Sequence, residues 1–205
     1  MSAAVLAVAL AYLVGSVPTG LWLGLALRGV DIREHGSHNI GATNTLRVLG
    51  KTIGAFALAG DAGKGIVAVL LISRLSAWPY APLACGIAAI GGHLAPAYLR
   101  FKGGKGVATS AGVFLSLAPI PTLLALAAFL LTLKTTRMVS ASSVAAAAAL
   151  AVSVCLMSLE QATMPLYLMP DLFLLRVATL HVVGLVVWRH RSNIRRILNG
   201  TENRF

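Results

Sequence analysis

The stretch VATSAGVFLSLAPIPTLLALAAFLLTL, residues 107–133, decides how this chain is folded. It carries no charged residue. A membrane-spanning helix needs about 20 apolar residues. The stretch therefore reads either as one long span or as two short ones broken at Ala118-Pro119-Ile120-Pro121. Two prolines separated by one residue do not both fit inside a helix, because each lacks an N–H and its ring crowds the preceding turn. A break at this point makes the segment two helices joined by a turn.

The surrounding sequence supports that choice. Apolar runs at residues 3–25, 53–74, 79–99, 140–157 and about 172–188 each suit one span. With the break, the chain has seven spans, and an outside N-terminus puts the C-terminus in the cytoplasm. Arg28, Arg33, Arg47, Lys51, Arg100, Lys102, Lys105, Lys134, Arg137, Arg189, Arg191, Arg195, Arg196 and Arg204 then share one side. The opposite side receives residues 158–171, which hold Glu160 and Asp171 and no base. Basic loops face the cytoplasm in membrane proteins. Without the break the last two spans invert and this asymmetry is lost. Two short helices are the cost, met by tilting or by local thinning of the bilayer. Arg74 and Arg176 do not join the cytoplasmic set; Arg176 falls in the outer half of the last span, where it must snorkel outward or find a partner.

Composition agrees. Of 205 residues, 58% are hydrophobic and 11% charged, with a mean hydropathy of +0.84. A soluble domain carries about 25% charged residues, and disorder requires low hydrophobicity, so both classes are excluded. The net charge of +11 suits cytoplasmic loops or an anionic substrate. It does not suit nucleic acid, because the bases form no continuous hydrophilic face. No Lys or Arg precedes Arg28, so the first segment reads as a retained helix and not as a secretory signal. Cys85 and Cys155 both lie in apolar runs, which argues against a disulfide framework or a zinc site. No internal repeat or long linker divides the chain, and residues 1–205 read as a single all-α, polytopic membrane domain.

Four polar clusters interrupt this apolar background. The first is Gly36-Ser37-His38-Asn39-Ile40-Gly41-Ala42-Thr43-Asn44, with Arg47 following. Its Ser, Asn and Arg side chains can donate to a phosphate, the Arg in a bidentate way. A plain surface loop with a helix cap at Ser37 or Asn39 is the alternative. The second, Gly60-Asp61-Ala62-Gly63-Lys64-Gly65, lies inside a span. Asp61 and Lys64 share a helix face and are either a functional pair or a mutually neutralising one that holds helices together.

The third cluster is Phe101-Lys102-Gly103-Gly104-Lys105-Gly106. Its glycines allow successive N–H groups to converge on an anion, and a helix starting at Val107 aims its dipole at the same place. Neither lysine motif is a P-loop, since glycine follows Lys64 and Lys105 where Ser or Thr is required. His93 lies upstream in the same span and by itself reads as a packing histidine. The fourth is the tail, His190-Arg191-Ser192-Asn193-Ile194-Arg195-Arg196 followed by Gly200-Thr201-Glu202-Asn203-Arg204. Ser140 to Ser143 most simply cap a helix.

Taken in order, GSHNIGATNTLR (36–47), GDAGKG (60–65), GGHLAPAYLRFKGGKGVAT (91–109) and HRSNIRRILNGTEN (190–203) resemble the PlsY-type acyl-phosphate:glycerol-3-phosphate acyltransferases of bacteria. The resemblance extends over nearly the whole chain. One departure is His38, where the family usually has glycine. The resemblance implies transfer of a fatty acyl group from acyl phosphate to the 1-hydroxyl of glycerol 3-phosphate, giving lysophosphatidic acid and phosphate, at the cytoplasmic face of the bacterial inner membrane. Acidic residues are sparse and scattered, so no metal site is apparent, and no cofactor is expected. Acyl phosphate, glycerol 3-phosphate and membrane lipid are the implied partners, with coupling to an acyl-phosphate-forming enzyme.

The resemblance also implies roles. Lys105, with Gly103, Gly104, Gly106 and Lys102, would hold the acyl-phosphate head. Arg47 would hold the phosphate of glycerol 3-phosphate, with Ser37, Asn39 and Asn44 as hydrogen-bonding partners. His190 and Asn193 would orient the hydroxyl or the carbonyl, and Ser140 and Ser143 would add donors. Asp61, Lys64, His93 and Glu202 are structural or site residues. The proton acceptor is His190 or the substrate's own phosphate; an acylated Ser37 is a third route, and direct transfer is the expectation. The rival from another class is a transporter of small organic phosphates using Asp61, Lys64 and Arg176. The missing repeat and the placement of the clusters at one face argue against it.

Overall fold

The computed structural model describes residues 2–157 and 171–204. Among them every regular element is helical, and they form two compact units, Met1–Ser116 and Leu117–Phe205.

In the first unit, α1 (Ser2–Ser16) and α2 (Thr19–Arg28) form an apolar pair bent by 45°. The bend falls at Val17-Pro18. Proline has no N–H to continue the ladder and its ring disfavours a helical residue before it. The apolar segment expected at 3–25 is therefore helical on both sides of a break. A short helix, α3 (Ala42–Leu49), precedes α4 (Lys51–Leu70), whose apolar segment extends through a 3-10 turn to Leu75. Next come α5 (Ala81–Leu94) and α6 (Val107–Leu117).

Small residues let α1 and α5 approach closely, as is common where lipid supplies no hydrophobic drive. Ala7, Ala11, Ala68, Cys85 and Ala89 form a fully buried cluster. A Cβ placed on Gly15 would collide with the Ala89 carbonyl, and one on Gly92 with the Tyr12 carbonyl. The Tyr12 hydroxyl donates to the Ala95 carbonyl at 2.7 Å and closes the far end. Gly15→Val should therefore cost about 1–3 kcal/mol through overpacking. A thermal unfolding midpoint in detergent should fall by several degrees, and an unchanged midpoint would refute this account of the contact.

In the second unit, α7 (Pro119–Thr136) and α8 (Val139–Leu156) form a hairpin, followed by α9 (Leu172–Arg189) and α10 (Arg191–Leu198). The helical break within 107–133 falls at Ala118 (φ −147°, ψ 72°). Pro119 and Pro121 both occupy the first turn of α7, where a missing N–H has no intrahelical acceptor to lose. One expectation is corrected: only α6, with 11 residues, is short, whereas α7 has 18. At 1.5 Å per residue, α6 is about 16 Å long and falls well short of the ~30 Å hydrocarbon core. By length and composition five helices can cross a membrane, and the bent pair makes a sixth.

Leu123, Leu124, Leu126, Leu130 and Leu131 on α7 are each at least half exposed, which suits lipid and not water. Arg176 is paired: its Nη2 donates to the Met157 carbonyl at 2.8 Å and its Nε to the Val154 carbonyl at 3.5 Å, at the end of α8. Asp171 caps α9 by accepting from the Phe173 and Leu174 amides. Glu160, the other acidic residue expected on the outer side, lies outside the described residues.

Candidate active site

The loop leading into α3 is organised from within by one side chain. Asn44 is 1% exposed. Its Oδ1 accepts from the Ser37 amide at 2.8 Å, and its Nδ2 donates to the carbonyls of Ile32 (2.8 Å), Asn39 (2.9 Å) and His35 (3.1 Å). The amide is thus committed to the loop, and Asn44 ties together the chain from Ile32 to Asn39. Asn39 accepts from the Gly41 amide at 3.0 Å and shapes the start of α3. Gly36 has φ +63°, and a Cβ there would meet Asn44 Oδ1 and lie 3.5 Å from Arg47 Cδ. The 36–37 backbone therefore runs alongside Arg47, and Ser37 and Arg47 are both exposed.

His38 has φ +56°, the left-handed conformation that costs a non-glycine residue roughly 1–2 kcal/mol. Its Nδ1 donates to the Arg33 carbonyl at 2.9 Å, which offsets part of that cost. The loop keeps a backbone suited to glycine even though this chain carries histidine. Before it, Arg33 grips Asp31 through Nε (2.9 Å) and Nη2 (2.6 Å). This contact holds the Asp31 carboxyl below its usual range and raises the Arg33 guanidinium above its own.

The glycine-rich loop lies between α5 and α6. Arg100 (φ +50°) and Phe101 (φ +63°) turn the chain back through two left-handed residues. Lys102 is exposed, Lys105 is half-buried, and Gly104 and Gly106 are buried. The Gly104 amide donates to the His93 carbonyl at 3.0 Å. That direction corrects part of the expected cradle: this N–H points into the protein, and any anion contact must come from the rest of the loop. Glycine is required at 104 because a Cβ would strike the His93 imidazole. Just beyond, the hydroxyls of Thr109 and Ser110 are buried and have no hydrogen-bond partner among the described residues.

His93 also joins a buried cluster on α4. Lys64 Nζ lies 2.8 Å from Asp61 Oδ1, 2.8 Å from His93 Nδ1 and 2.9 Å from the Val17 carbonyl. The Asp61–Lys64 ion pair expected from spacing is present, and histidine is its third member.

In the second unit the tail folds back after α10 through Gly200 (φ +70°). This brings Glu202 under the helix. Its Oε1 accepts from Asn193 Nδ2 at 2.7 Å and from the Ser140 hydroxyl at 2.8 Å, and its Oε2 accepts from Arg196 Nε at 2.7 Å. Burial pushes the Glu202 carboxyl up, but the bonds from Asn193, Ser140 and Arg196 prevail and hold it below its usual range. The Ser143 hydroxyl donates to the Val139 carbonyl at 2.8 Å. Ser140 is thus tied to Glu202, and Ser143 bonds within its own helix. His190, 2% exposed, stands at the α9–α10 junction with Nδ1 donating to the Val186 carbonyl at 2.8 Å. In the neutral ring the basic lone pair is therefore on Nε2.

Within the first unit the structure sets the Gly36 backbone beside Arg47, and His93 beside the glycine loop. Within the second it gathers Ser140, Asn193 and Glu202. Sequence reasoning missed Arg196 as a holder of Glu202. The available signal was its i,i+3 spacing from Asn193, followed by a glycine able to reverse the chain. It also missed the contact between His93 and Gly104, which no spacing reveals.

The family model described as "Glycerol-3-phosphate acyltransferase" matches residues 5–200. A glycerol-3-phosphate acyltransferase of Geobacter sulfurreducens is 47% identical over 197 residues, covering 96% of this chain and 95% of that protein. One from Geotalea daltonii is 46% identical over 195 residues, covering 95% and 94%. Among solved structures, the glycerol 3-phosphate form of PlsY (YgiH), an integral membrane glycerol 3-phosphate acyltransferase, is similar with a TM-score of 0.85 at 33% identity. That match covers 98% of this chain and 95% of the other. The lysophosphatidic acid form of the same protein gives 0.83 at 32%, with the same coverage.

Proposed function

Because this chain belongs to the glycerol-3-phosphate acyltransferase family, we propose that it transfers a fatty acyl group from acyl phosphate to the 1-hydroxyl of glycerol 3-phosphate. The observation that carries this reading is the Asn44-stitched loop, which brings the Gly36 backbone alongside Arg47 with Ser37 next in the chain, Ser37 and Arg47 both being exposed. Both residue types bind phosphate oxygens, and an Arg–phosphate contact is charge-assisted. The resemblance of the glycine loop and of the tail to the acyl-phosphate-dependent family supports the donor.

Acyl phosphate is a mixed anhydride and already activated, so the protein's task is alignment and charge stabilisation. The 1-hydroxyl oxygen attacks the acyl carbon, a carbon–oxygen ester bond forms, and the carbon–oxygen bond to phosphate breaks. The hydroxyl proton goes to the departing phosphate or to His190 Nε2. Lys105 offsets charge on the leaving group, Arg47 with Ser37 seats glycerol 3-phosphate, and Asn193 orients the reacting carbonyl or hydroxyl.

In this reading residues 1–205 act as one acyltransferase domain in the bacterial inner membrane, and its seventh crossing is the short α6, counted beside the bent pair and the five long apolar helices. The N-terminus is outside, and the basic loops and the site face the cytoplasm, as the distribution of bases favours. Acyl phosphate is readily hydrolysed, so an enzyme that forms it would act close by.

The test uses purified protein in detergent with both substrates. Phosphate release that requires both supports transfer, and unchanged release with a chelator supports metal-free chemistry. A transporter would give no turnover without a sealed vesicle, and that result would overturn the proposal. Arg47→Ala should raise KM for glycerol 3-phosphate by roughly tenfold or more, the loss of a charge-assisted hydrogen bond, with a smaller change for acyl phosphate. The reverse order would show that the two subsites have been exchanged.

A further inference from the structure

The Asp61–Lys64–His93 cluster has no part in the chemistry above, yet it touches the glycine loop. Asp61, Lys64 and His93 are 1%, 6% and 4% exposed. An ammonium has three hydrogens, and the three acceptors around Lys64 Nζ lie at 2.8, 2.8 and 2.9 Å. Its hydrogens are fully committed. One acceptor, the Val17 carbonyl, sits at the break between α1 and α2, where Pro18 interrupts the helical ladder. Another is His93 Nδ1. An ammonium can only donate, so Nδ1 accepts and the neutral ring carries its proton on Nε2.

That Nε2 edge lies against Gly104, since a Cβ on Gly104 would collide with it. The His93 carbonyl meanwhile accepts the Gly104 amide at 3.0 Å. One residue thus holds the loop through both its backbone and its ring, and the ring's orientation is set by Lys64. A hydrophobic side chain at 93 would fill the space without fixing an orientation.

We propose that Asp61, Lys64 and His93 are positioning residues that fix the register of the Gly103–Gly106 loop for its phosphate-bearing substrate. The inference rests on the reading that this loop binds a substrate phosphate. The ion pair orients the imidazole, the imidazole sets Gly104, and Gly104 sets the neighbouring Lys105. The contact with Val17 extends the same network to the bend of the first span.

Two sets of variants test this in the full-length protein. Gly104→Ala should lower kcat/KM about 100-fold because its methyl meets the ring. His93→Ala combined with Gly104→Ala removes the ring and should restore at least tenfold of that loss. The charge-balanced pair Asp61→Asn with Lys64→Met should raise KM for acyl phosphate about tenfold while kcat falls less than threefold. It should also weaken the stabilisation of the thermal midpoint by added inorganic phosphate. A purely structural cluster would lower the midpoint in the absence of phosphate and leave KM unchanged, which would overturn the proposal. So would a Gly104→Ala defect that is indifferent to the ring at 93. An inactive wild-type protein would instead overturn the acyltransferase reading, and the phosphate-dependent midpoint would still decide whether the network positions the loop.

Discussion

Replacing Lys105 by alanine is expected to lower turnover by roughly 10²–10³-fold, the usual effect of removing one charge-stabilising donor from a site of this kind, while the protein remains extractable and folded. Lys105 lies between two buried glycines, 104 and 106, and Gly106 has φ +81°. Its backbone position is therefore set by neighbours on both sides, and the half-buried side chain works from a fixed origin. A phosphate leaving an acyl group gains charge as the bond breaks, and a cation in a partly desolvated place stabilises that charge more strongly than it would in water. Lys105→Arg should recover part of the loss, because it keeps the charge and changes the shape. Near-normal phosphate release by Lys105→Ala would refute the assignment.

Glu202→Ala is the second change with a large expected effect. The carboxylate, with its side chain 6% exposed, is the common acceptor for Ser140, Asn193 and Arg196. Its removal deprives the Asn193 amide, the Ser140 hydroxyl and the Arg196 guanidinium of the carboxylate that gathers them, and the loss of such buried bonds costs about 1–3 kcal/mol. Asn193 would lose its 2.7 Å bond to the carboxylate, so kcat should fall together with the thermal midpoint. The pH dependence has a definite sign. The folded-state pKa of Glu202 is depressed, so its contribution to stability is present above the unfolded carboxylate pKa of about 4.3. That contribution is lost as pH falls through the lower folded value. Glu202→Gln should lose this increment at neutral pH and show a flatter midpoint between pH 3 and 7. A variant with the same acid sensitivity as the wild type would exclude the tie.

The sequence revealed the helices better than the contacts. The prolines at 119 and 121 mark the break because their geometry acts locally, and the apolar runs mark the spans because lipid acts on each run separately. The first span's bend was just as local, at Pro18, but an uninterrupted apolar run on both sides concealed it. α3 and α10, eight residues each, are too short for a periodic signal to separate from a polar loop. The site was legible as residue types and not as partners. Asn44 was visible as a polar residue in a glycine-spaced loop, yet its role depends on which carbonyls the loop brings around it. Ser143 shows the converse: the serine run is plain in the sequence, but this hydroxyl turns to its own helix. Glu202 stands far from Ser140 in sequence, and only the chain reversal at Gly200 joins them.

The pairing of Arg176 bears on how the chain is made. During synthesis α8 emerges before α9, so the Val154 and Met157 carbonyls are available when the guanidinium arrives. A rearranged gene delivering the last helix first would present that cation to the translocon with no acceptor waiting. The order of the helices along the chain therefore matters for insertion as well as for the finished architecture.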